Sequence, residues 1–370
     1  MYNILILDFG KYWGGVETYT YLLCRGLLSR GINVHVFCMP DSPLCRKLQL
    51  LGGVKIHESV LLNSGDLRPV AKLVECCIRN RIDVIHANWG KEYWVGVLSG
   101  KLAGSRVVVT RHVEEKLNPL TAVLIKKFVD KVIVPSKSIF KVLSSQNIDK
   151  EKIVVINHGV DTEQFSPDKI TKEAFREKLN LPKGSYTVGI LSNLVSFYGK
   201  GHRTLLMSLA EICKVRKDVY CIIMGGGRQL LPLRRFAERL GVADNVKFLG
   251  HVESPEYMLP GLDVFVLLSY EREGFGFVIL EAMSSGVPVI CSTIGGGKEI
   301  VSDGVDGYII SPDDYIALRD KILQLINSED ERMRFSRAAR ENAVARFSYL
   351  AMVEKTIKVY SEVLDKKCSI

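Results

Sequence analysis

Ile4-Leu5-Ile6-Leu7, followed by Phe9-Gly10-Lys11-Tyr12-Trp13-Gly14-Gly15, then Val16 to Arg30, Gly31 and Val34-His35-Val36-Phe37, is the stretch on which the fold turns. The first apolar tetrapeptide ends at a glycine-rich turn, as a short buried strand does. From Val16 to Arg30 the apolar residues recur with the helical period, and Gly31 stops that helix before a second apolar run. Strand, helix, strand in this order predicts a βαβ unit. The alternation continues through Asp83-Val84-Ile85-His86, Arg106-Val107-Val108-Val109-Thr110, Lys131-Val132-Ile133-Val134 and Lys152-Ile153-Val154-Val155-Ile156. Short, continuously apolar strands separated by helices predict a parallel sheet covered on both faces.

A second series follows. Phe165-Ser166-Pro167 breaks the pattern, and a linker is expected near residues 165–185. New strands are expected at Tyr186–Leu191, Val219–Met224, Val246–Leu249, Val264–Leu268 and Val287–Ile290, and charge-rich helices from Ser311 onward. A chain of 370 residues also exceeds what one core usually organises. The expected fold is α/β, with two doubly wound Rossmann-like domains, residues 1–165 and 166–348, and a cleft between them. The C-terminal helix, about 349–370, is free to pack back on the first domain. Ligands of such sheets bind at the carboxyl ends of the strands. A dehydrogenase would show GxGxxG after its first strand and an acidic residue about 20 positions later. Neither the turn at Phe9–Gly15 nor Gly225-Gly226-Gly227 has that spacing, so the dinucleotide reading is disfavoured.

Hydrophobic residues make up 47% and charged residues 25%, a globular composition. Nine scattered cysteines without a CxxC pair point to reduced, buried thiols in a cytoplasmic protein. No apolar run approaches the roughly 20 residues of a membrane span, and no basic leader precedes the first strand pattern, so neither export nor membrane integration is expected. The net charge of +9 is concentrated early: residues 1–165 hold 22 Lys and Arg against 15 Asp and Glu. Lys126, Lys127, Lys131, Lys137 and Lys141 lie close to Leu120, Val123, Leu124 and Phe128. That pattern fits either a core-facing amphipathic helix with a solvated basic side or a peripheral contact with an anionic membrane. No zinc finger, RNP-like motif or basic tract with interleaved aromatics supports nucleic acid. Seven histidines without HxH or HExxH spacing argue against a metal site. Ser284-Ser285-Gly286 does not supply the GxSxG of a serine hydrolase.

The strongest constellation is Glu273-Gly274-Phe275-Gly276-Phe277-Val278-Ile279-Leu280-Glu281, followed by Ala282-Met283 and Gly286-Val287-Pro288. It directly follows an expected buried strand. Its glycines let backbone amides approach a ligand at a helix N-terminus, where electron-rich groups are favoured. With about 1.5 Å of rise per residue, the two glutamates stand roughly one ligand length apart. One carboxylate can serve sugar hydroxyls and the other ribose hydroxyls.

These residues resemble the large retaining glycosyltransferase family 4 (glycosyl transferases group 1), which has the GT-B fold. Glu273 and Glu281 match its two glutamates separated by seven residues. Gly14-Gly15-Val16-Glu17 resembles its amino-terminal glycine loop, and Ile156-Asn157-His158-Gly159-Val160-Asp161 with Phe165 and Pro167 its interdomain segment. Lys200-Gly201-His202 resembles its phosphate-binding turn, and Gly295-Gly296-Gly297-Lys298-Glu299 with Asp303-Gly304 and Gly307 a further segment near its site. The match runs over nearly the whole chain, and the order and spacing of the motifs make it specific.

The resemblance implies a nucleotide diphosphate sugar as donor, a glycan or lipid-linked acceptor hydroxyl, retention of configuration, and no cofactor or metal. It implies Glu273 on the donor sugar, Glu281 on ribose, and Lys200 on the diphosphate, whose growing charge suits a point cation. It implies His112 beside the sugar. Gly14 and Gly15 border the donor, and the amides of Gly274, Phe275, Gly276 and Phe277 touch it. Asn193, Gly225 and Val252 join the donor-binding set. The segment Ser192–Lys200 departs from the family in lacking an arginine as second phosphate clamp, with Arg203 and Arg272 as candidate substitutes. A nucleotide-sugar epimerase of the same fold and a catalytically silent binding subunit are the alternatives. Synthesis of cell-surface polysaccharide, lipopolysaccharide or glycolipid is the expected setting.

Overall fold

The computed structural model describes residues 2–197, 199–270 and 274–365. It divides into two compact units. One runs through Gly159 and takes back the helix Tyr349–Asp365; the other is Val160–Ser348.

The first unit holds seven strands: β1 Asn3–Asp8, β2 Asn33–Cys38, β3 Lys55–Glu58, β4 Val84–Ala87, β5 Arg106–Thr110, β6 Lys131–Val134 and β7 Ile153–Val155. All pair in parallel, in the order β3-β2-β1-β4-β5-β6-β7. The run Ile4–Leu7 is fully buried, as strands covered on both faces require. Its following helix, Gly15–Leu28, packs against Tyr349–Asp365. Gly26 lies directly against that helix, since a Cβ there would overlap the Val353 side chain.

The second unit holds β8 Tyr186–Leu191, β9 Val219–Met224, β10 Val246–Gly250, β11 Val264–Leu267, β12 Val289–Ser292 and β13 Gly307–Ile310. They are again parallel, in the order β10-β9-β8-β11-β12-β13. In each sheet the order reverses beside the first strand, at β1/β4 and at β8/β11. Loops diverge at such a switch point and leave a crevice at the strands' carboxyl ends.

The stretch 165–185 is not the linker expected from its polarity. It belongs to the second unit, where Phe165, Phe175 and Leu181 are buried. Asp263, buried at the start of β11, accepts from Arg176 Nη2 (2.9 Å), Lys172 Nζ (2.6 Å) and the Thr187 amide (2.9 Å), so the helix Lys172–Lys178 is clamped to the sheet. Arg340 Nη1 donates to the carbonyls of Thr162, Phe165 and Ser284, fixing the preceding segment as well. Charged residues placed for internal ion pairs give this segment its linker-like composition. Among the described residues no helix is long and apolar enough to cross a membrane.

Candidate functional site

In the second unit the loops after β8, β9, β10 and β11 converge. The turn Gly199-Lys200-Gly201 lies flat on the chain leaving β11: the Leu268 amide donates to Lys200 O and the Tyr270 amide to Gly199 O, both at 3.1 Å. Gly201 has φ +87°, and a Cβ there would press into Leu268, so glycine is required at this turn. The helix His202–Val215 starts at once from it. Lys200 Nζ stands 3.5 Å from Ser269 Oγ, which holds the ammonium at the carboxyl end of β11. His202 Nε2 lies 3.3 Å from Ser192 Oγ, and burial, followed by the Lys200 charge, lowers its pKa to about 4. It is a neutral brace for the loop rather than a charge.

Gly225 leaves β9 with φ +138°, and a Cβ on it would overlap the Ser192 carbonyl oxygen. Its amide donates to Gly250 O at 2.7 Å, and the Leu194 amide donates to Gly226 O at 2.9 Å. The loops after β8, β9 and β10 are therefore joined backbone to backbone. Asn193 is exposed in this group and Val252 half-buried. Arg203, a candidate second phosphate clamp, lies with its guanidinium 6.0 Å from the Phe236 ring centre. Arg228, on the glycine loop itself, donates to Val195 O at 2.8 Å and brings an unforeseen cation to the same segment.

Glu273 and Arg272 lie outside the described residues. Gly274, Phe275 and Gly276 are buried, and Gly276, at φ +103°, leads into the helix Phe277–Ser284. Gly296 packs so tightly on Phe275 and Gly274 that a Cβ would overlap their backbone. This contact explains part of the run Gly295-Gly296-Gly297. Glu281 follows Phe277 by one helical turn and is only 8% exposed. Burial first, and the Glu256 charge second, raise its pKa to about 7. Among the described residues its carboxylate has no hydrogen-bond or ion-pair partner. A buried carboxyl with open acceptor positions can receive hydroxyl donors.

In the first unit the loops after β1 and β4 are knotted together by Glu92. Its carboxylate accepts from the amides of Phe9 (2.7 Å), Asn88 (3.0 Å) and Trp89 (2.7 Å). Trp89 Nε1 donates to Asp8 Oδ1 (3.1 Å) and lies 3.3 Å from Glu17 Oε1. Burial pushes Asp8 up to about 6. Burial together with the Asp8 charge pushes Glu17 up to about 7, and Glu92 also stands well above the usual carboxylate range. The Glu17 carboxylate reaches back beneath the loop, where a Cβ on Gly10 would overlap it. Gly14 precedes the helix in extended conformation, and its carbonyl accepts from the Thr18 amide and hydroxyl. Gly15 opens that helix and is exposed.

His112 follows β5. Its ring meets Tyr19 edge-on (5.0 Å between centres) and stacks on His158 (5.1 Å), with His112 Nδ1 3.2 Å from His158 Nε2. Its Nε2 is buried and has no hydrogen-bond partner among the described residues. Burial, and then the neighbouring His158, His86 and Arg111, hold its pKa well below the ordinary value. His112 is therefore a neutral ring with one free hydrogen-bonding position, and can offer a sugar a hydrogen bond but no charge. His86 is spent on structure: its Nδ1 pairs with Tyr360 Oη and its Nε2 with Thr110 Oγ1, both at 2.6 Å.

The sequence reading missed Glu92, Trp89 and Asp8. Asp8 closing an apolar strand was a visible signal; nothing in the spacing marks Glu92.

The family pattern "Glycosyltransferase Family 4" matches residues 13–164 and "Glycosyl transferases group 1" matches residues 171–342. The chain is 33% identical over 207 residues to a GDP-mannose-dependent alpha-(1-6)-phosphatidylinositol monomannoside mannosyltransferase of Mycobacterium tuberculosis, covering 53% of this chain and 52% of that protein. The match thus spans about half the length of that relative. Over 392 residues it is 25% identical to a D-inositol 3-phosphate glycosyltransferase of Corynebacterium diphtheriae, covering 94% of this chain and 90% of the other. Among solved structures, Anabaena Alr3699/HepE in complex with UDP-glucose superposes with a TM-score of 0.85 at 26% identity, covering 97% of this chain and 99% of that one. With the two patterns matched in order over both halves and the α/β GT-B fold in place, the chain belongs to the family 4, group 1 glycosyltransferases.

Proposed function

We propose that the chain transfers a sugar from a nucleoside diphosphate donor to an acceptor hydroxyl, with retention of configuration and without a metal ion. The observation that carries this reading is Glu281: a buried carboxyl, without a partner among the described residues, one turn into a glycine-opened helix at the switch point of the second sheet. Its role is to accept the ribose hydroxyls. Lys200 serves the diphosphate as a point cation, and the backbone of Gly274–Phe277 lies against the sugar with Glu273 on its hydroxyls. Asn193, Gly225 and Val252 line the nucleotide, and Gly14 and Gly15 border the reacting end. His112, being neutral, contributes a single hydrogen bond to the sugar.

In the transfer step the bond from the anomeric carbon to the diphosphate oxygen breaks, and a bond to the acceptor oxygen forms on the same face. The departing diphosphate takes the acceptor proton, so no separate base is required. Preorganised donors around the diphosphate are worth most as its charge develops. Relatives named for GDP-mannose and UDP-glucose support a hexosyl donor of this kind.

The acceptor is a glycan or lipid-linked hydroxyl in cell-surface polysaccharide, lipopolysaccharide or glycolipid synthesis, used at the cytoplasmic face of a membrane. Support comes from the helix Pro119–Phe128. It buries Leu124 and Ile125 but leaves Leu120 (71%), Val123 and Phe128 (43%) exposed beside Lys126 and Lys127. The helix Tyr93–Ala103, in contact with it, adds exposed Leu98 and Leu102, and Lys101 lies 5.8 Å from the Phe128 ring centre. Apolar residues framed by lysines suit an anionic lipid surface.

Two substitutions separate the roles. Glu281→Gln should weaken the intact donor and the free nucleoside diphosphate alike. Glu273→Gln should lower turnover and leave free nucleotide affinity nearly unchanged. Normal turnover and normal donor affinity in both folded variants would refute this site.

A further inference from the structure

Three metal-ligating side chains, distant in sequence, meet at the edge of the first unit's sheet. His35 is on β2, His57 on the edge strand β3, and Cys76 on the helix Arg68–Arg79. His35 Nδ1 lies 3.1 Å from His57 Nε2, and Cys76 Sγ lies 3.5 Å from His57 Nε2 and 4.0 Å from His35 Nδ1. Tetrahedral zinc, with bonds of about 2.0–2.1 Å to nitrogen and about 2.3 Å to sulfur, sets its ligand atoms roughly 3.4–3.6 Å apart. The observed triangle needs shifts of only a few tenths of an ångström to become one face of that tetrahedron.

The surroundings fit as well. His57 and Cys76 line an open cavity of about 610 Å³ whose charged residues are Glu58 and Glu75 together with Lys55, Lys72 and Arg79. The cavity leaves room for a water as the fourth ligand. Asn80 Nδ2 lies 3.5 Å from Cys76 Sγ, a contact that steadies a thiolate ligand.

We propose that His35, His57 and Cys76 form a structural site for a zinc-type divalent transition-metal ion, separate from the donor-binding residues of the second unit. Binding displaces the Cys76 thiol proton to solvent and forms one metal–sulfur and two metal–nitrogen bonds. It ties the polar edge strand β3 to β2 and to the helix that covers them.

The test uses the full chain, stripped with EDTA and dialysed, as wild type, Cys76→Ser, His57→Gln and Cys45→Ser. Cys45→Ser is a control, because that thiol bonds Glu58 at 3.3 Å on the same edge but lies outside the triad. Zinc is titrated against a chromophoric chelator, and cobalt(II) spectra are recorded. The wild type and Cys45→Ser should bind one equivalent and melt higher with zinc. Cys76→Ser and His57→Gln should bind at least tenfold more weakly and show no such rise. Wild-type cobalt protein should show tetrahedral bands with a thiolate charge-transfer band, a readout that does not depend on any variant folding. Less than one equivalent in the wild type, equal affinity in all four proteins, or a cobalt spectrum without the thiolate band would overturn the proposal.

Discussion

Replacing Glu281 by glutamine should make the free protein more stable and its nucleotide binding weaker. Burial raises the Glu281 pKa from 4.5 to about 7, so the folded state holds its proton where the unfolded state has lost it. Stability from such a group is fully present below the unfolded value and disappears as pH rises through about 7. At pH 8 the wild type therefore carries an ionised carboxylate in a site that disfavours it. A tenfold difference in proton affinity between the folded and unfolded chain is worth about 1.36 kcal/mol, so the penalty approaches roughly 3 kcal/mol at pH 8 and falls under about 1 kcal/mol at pH 5. Glutamine carries no such penalty. Calorimetry of the nucleotide-free protein should show Glu281→Gln melting several degrees above the wild type at pH 8, with the gap narrowing at pH 5. Titration with UDP, GDP or ADP should show the opposite trend for whichever nucleotide the wild type binds best. Losing a charge-assisted hydrogen bond of roughly 1.5–3 kcal/mol weakens binding about ten- to a hundredfold. A variant that melts lower than the wild type at both pH values, or binds nucleotide equally well, refutes the reasoning.

Lys200→Ala should weaken the nucleoside diphosphate far more than the nucleoside, as calorimetric titration of both would show. Gly225→Ala, at φ +138° and against the Ser192 carbonyl, should destabilise the second unit by more than about 1 kcal/mol in denaturant melts. Transfer should continue in excess EDTA at moderate temperature; activity lost there and restored by Mg²⁺ or Mn²⁺ counts against the donor site as drawn. The protein should sediment with anionic liposomes at low salt and less at high salt, and Leu120→Asp with Lys126→Glu should abolish that binding. Salt-insensitive or absent binding removes the membrane-facing role of the helix Pro119–Phe128.

Much of the fold was legible because buried parallel strands are continuous apolar runs; Ile4–Leu7 and Val264–Leu267 could hardly be anything else. Edge strands lack that signal. Lys55-Ile56-His57-Glu58 faces a neighbour on one side only and reads as polar loop, although it pairs with β2 along its length. The stretch 165–185 reads as a linker for a related reason, since Lys172 and Arg176 are charges recruited to the buried Asp263. Glycines with positive φ or close backbone neighbours, such as Gly201, Gly225 and Gly276, showed in the sequence because no other residue fits those positions. What depended on three-dimensional meeting did not show. His112 was named, but its stacking on His158 and its neutrality come from burial. Glu92, bonded to three amides, and the triad of His35, His57 and Cys76 are assembled from strands and helices far apart in the chain.

The central claim is transfer, and the most direct measurement is a product assay with purified protein, UDP-glucose or GDP-mannose, and a panel of glycan and lipid-linked acceptors. Mass spectrometry should find an acceptor heavier by one hexose for each nucleoside diphosphate released. NMR should show the new glycosidic bond with the anomeric configuration of the donor. A sugar altered with no acceptor present, or a donor bound and never turned over with any acceptor, would contradict the account.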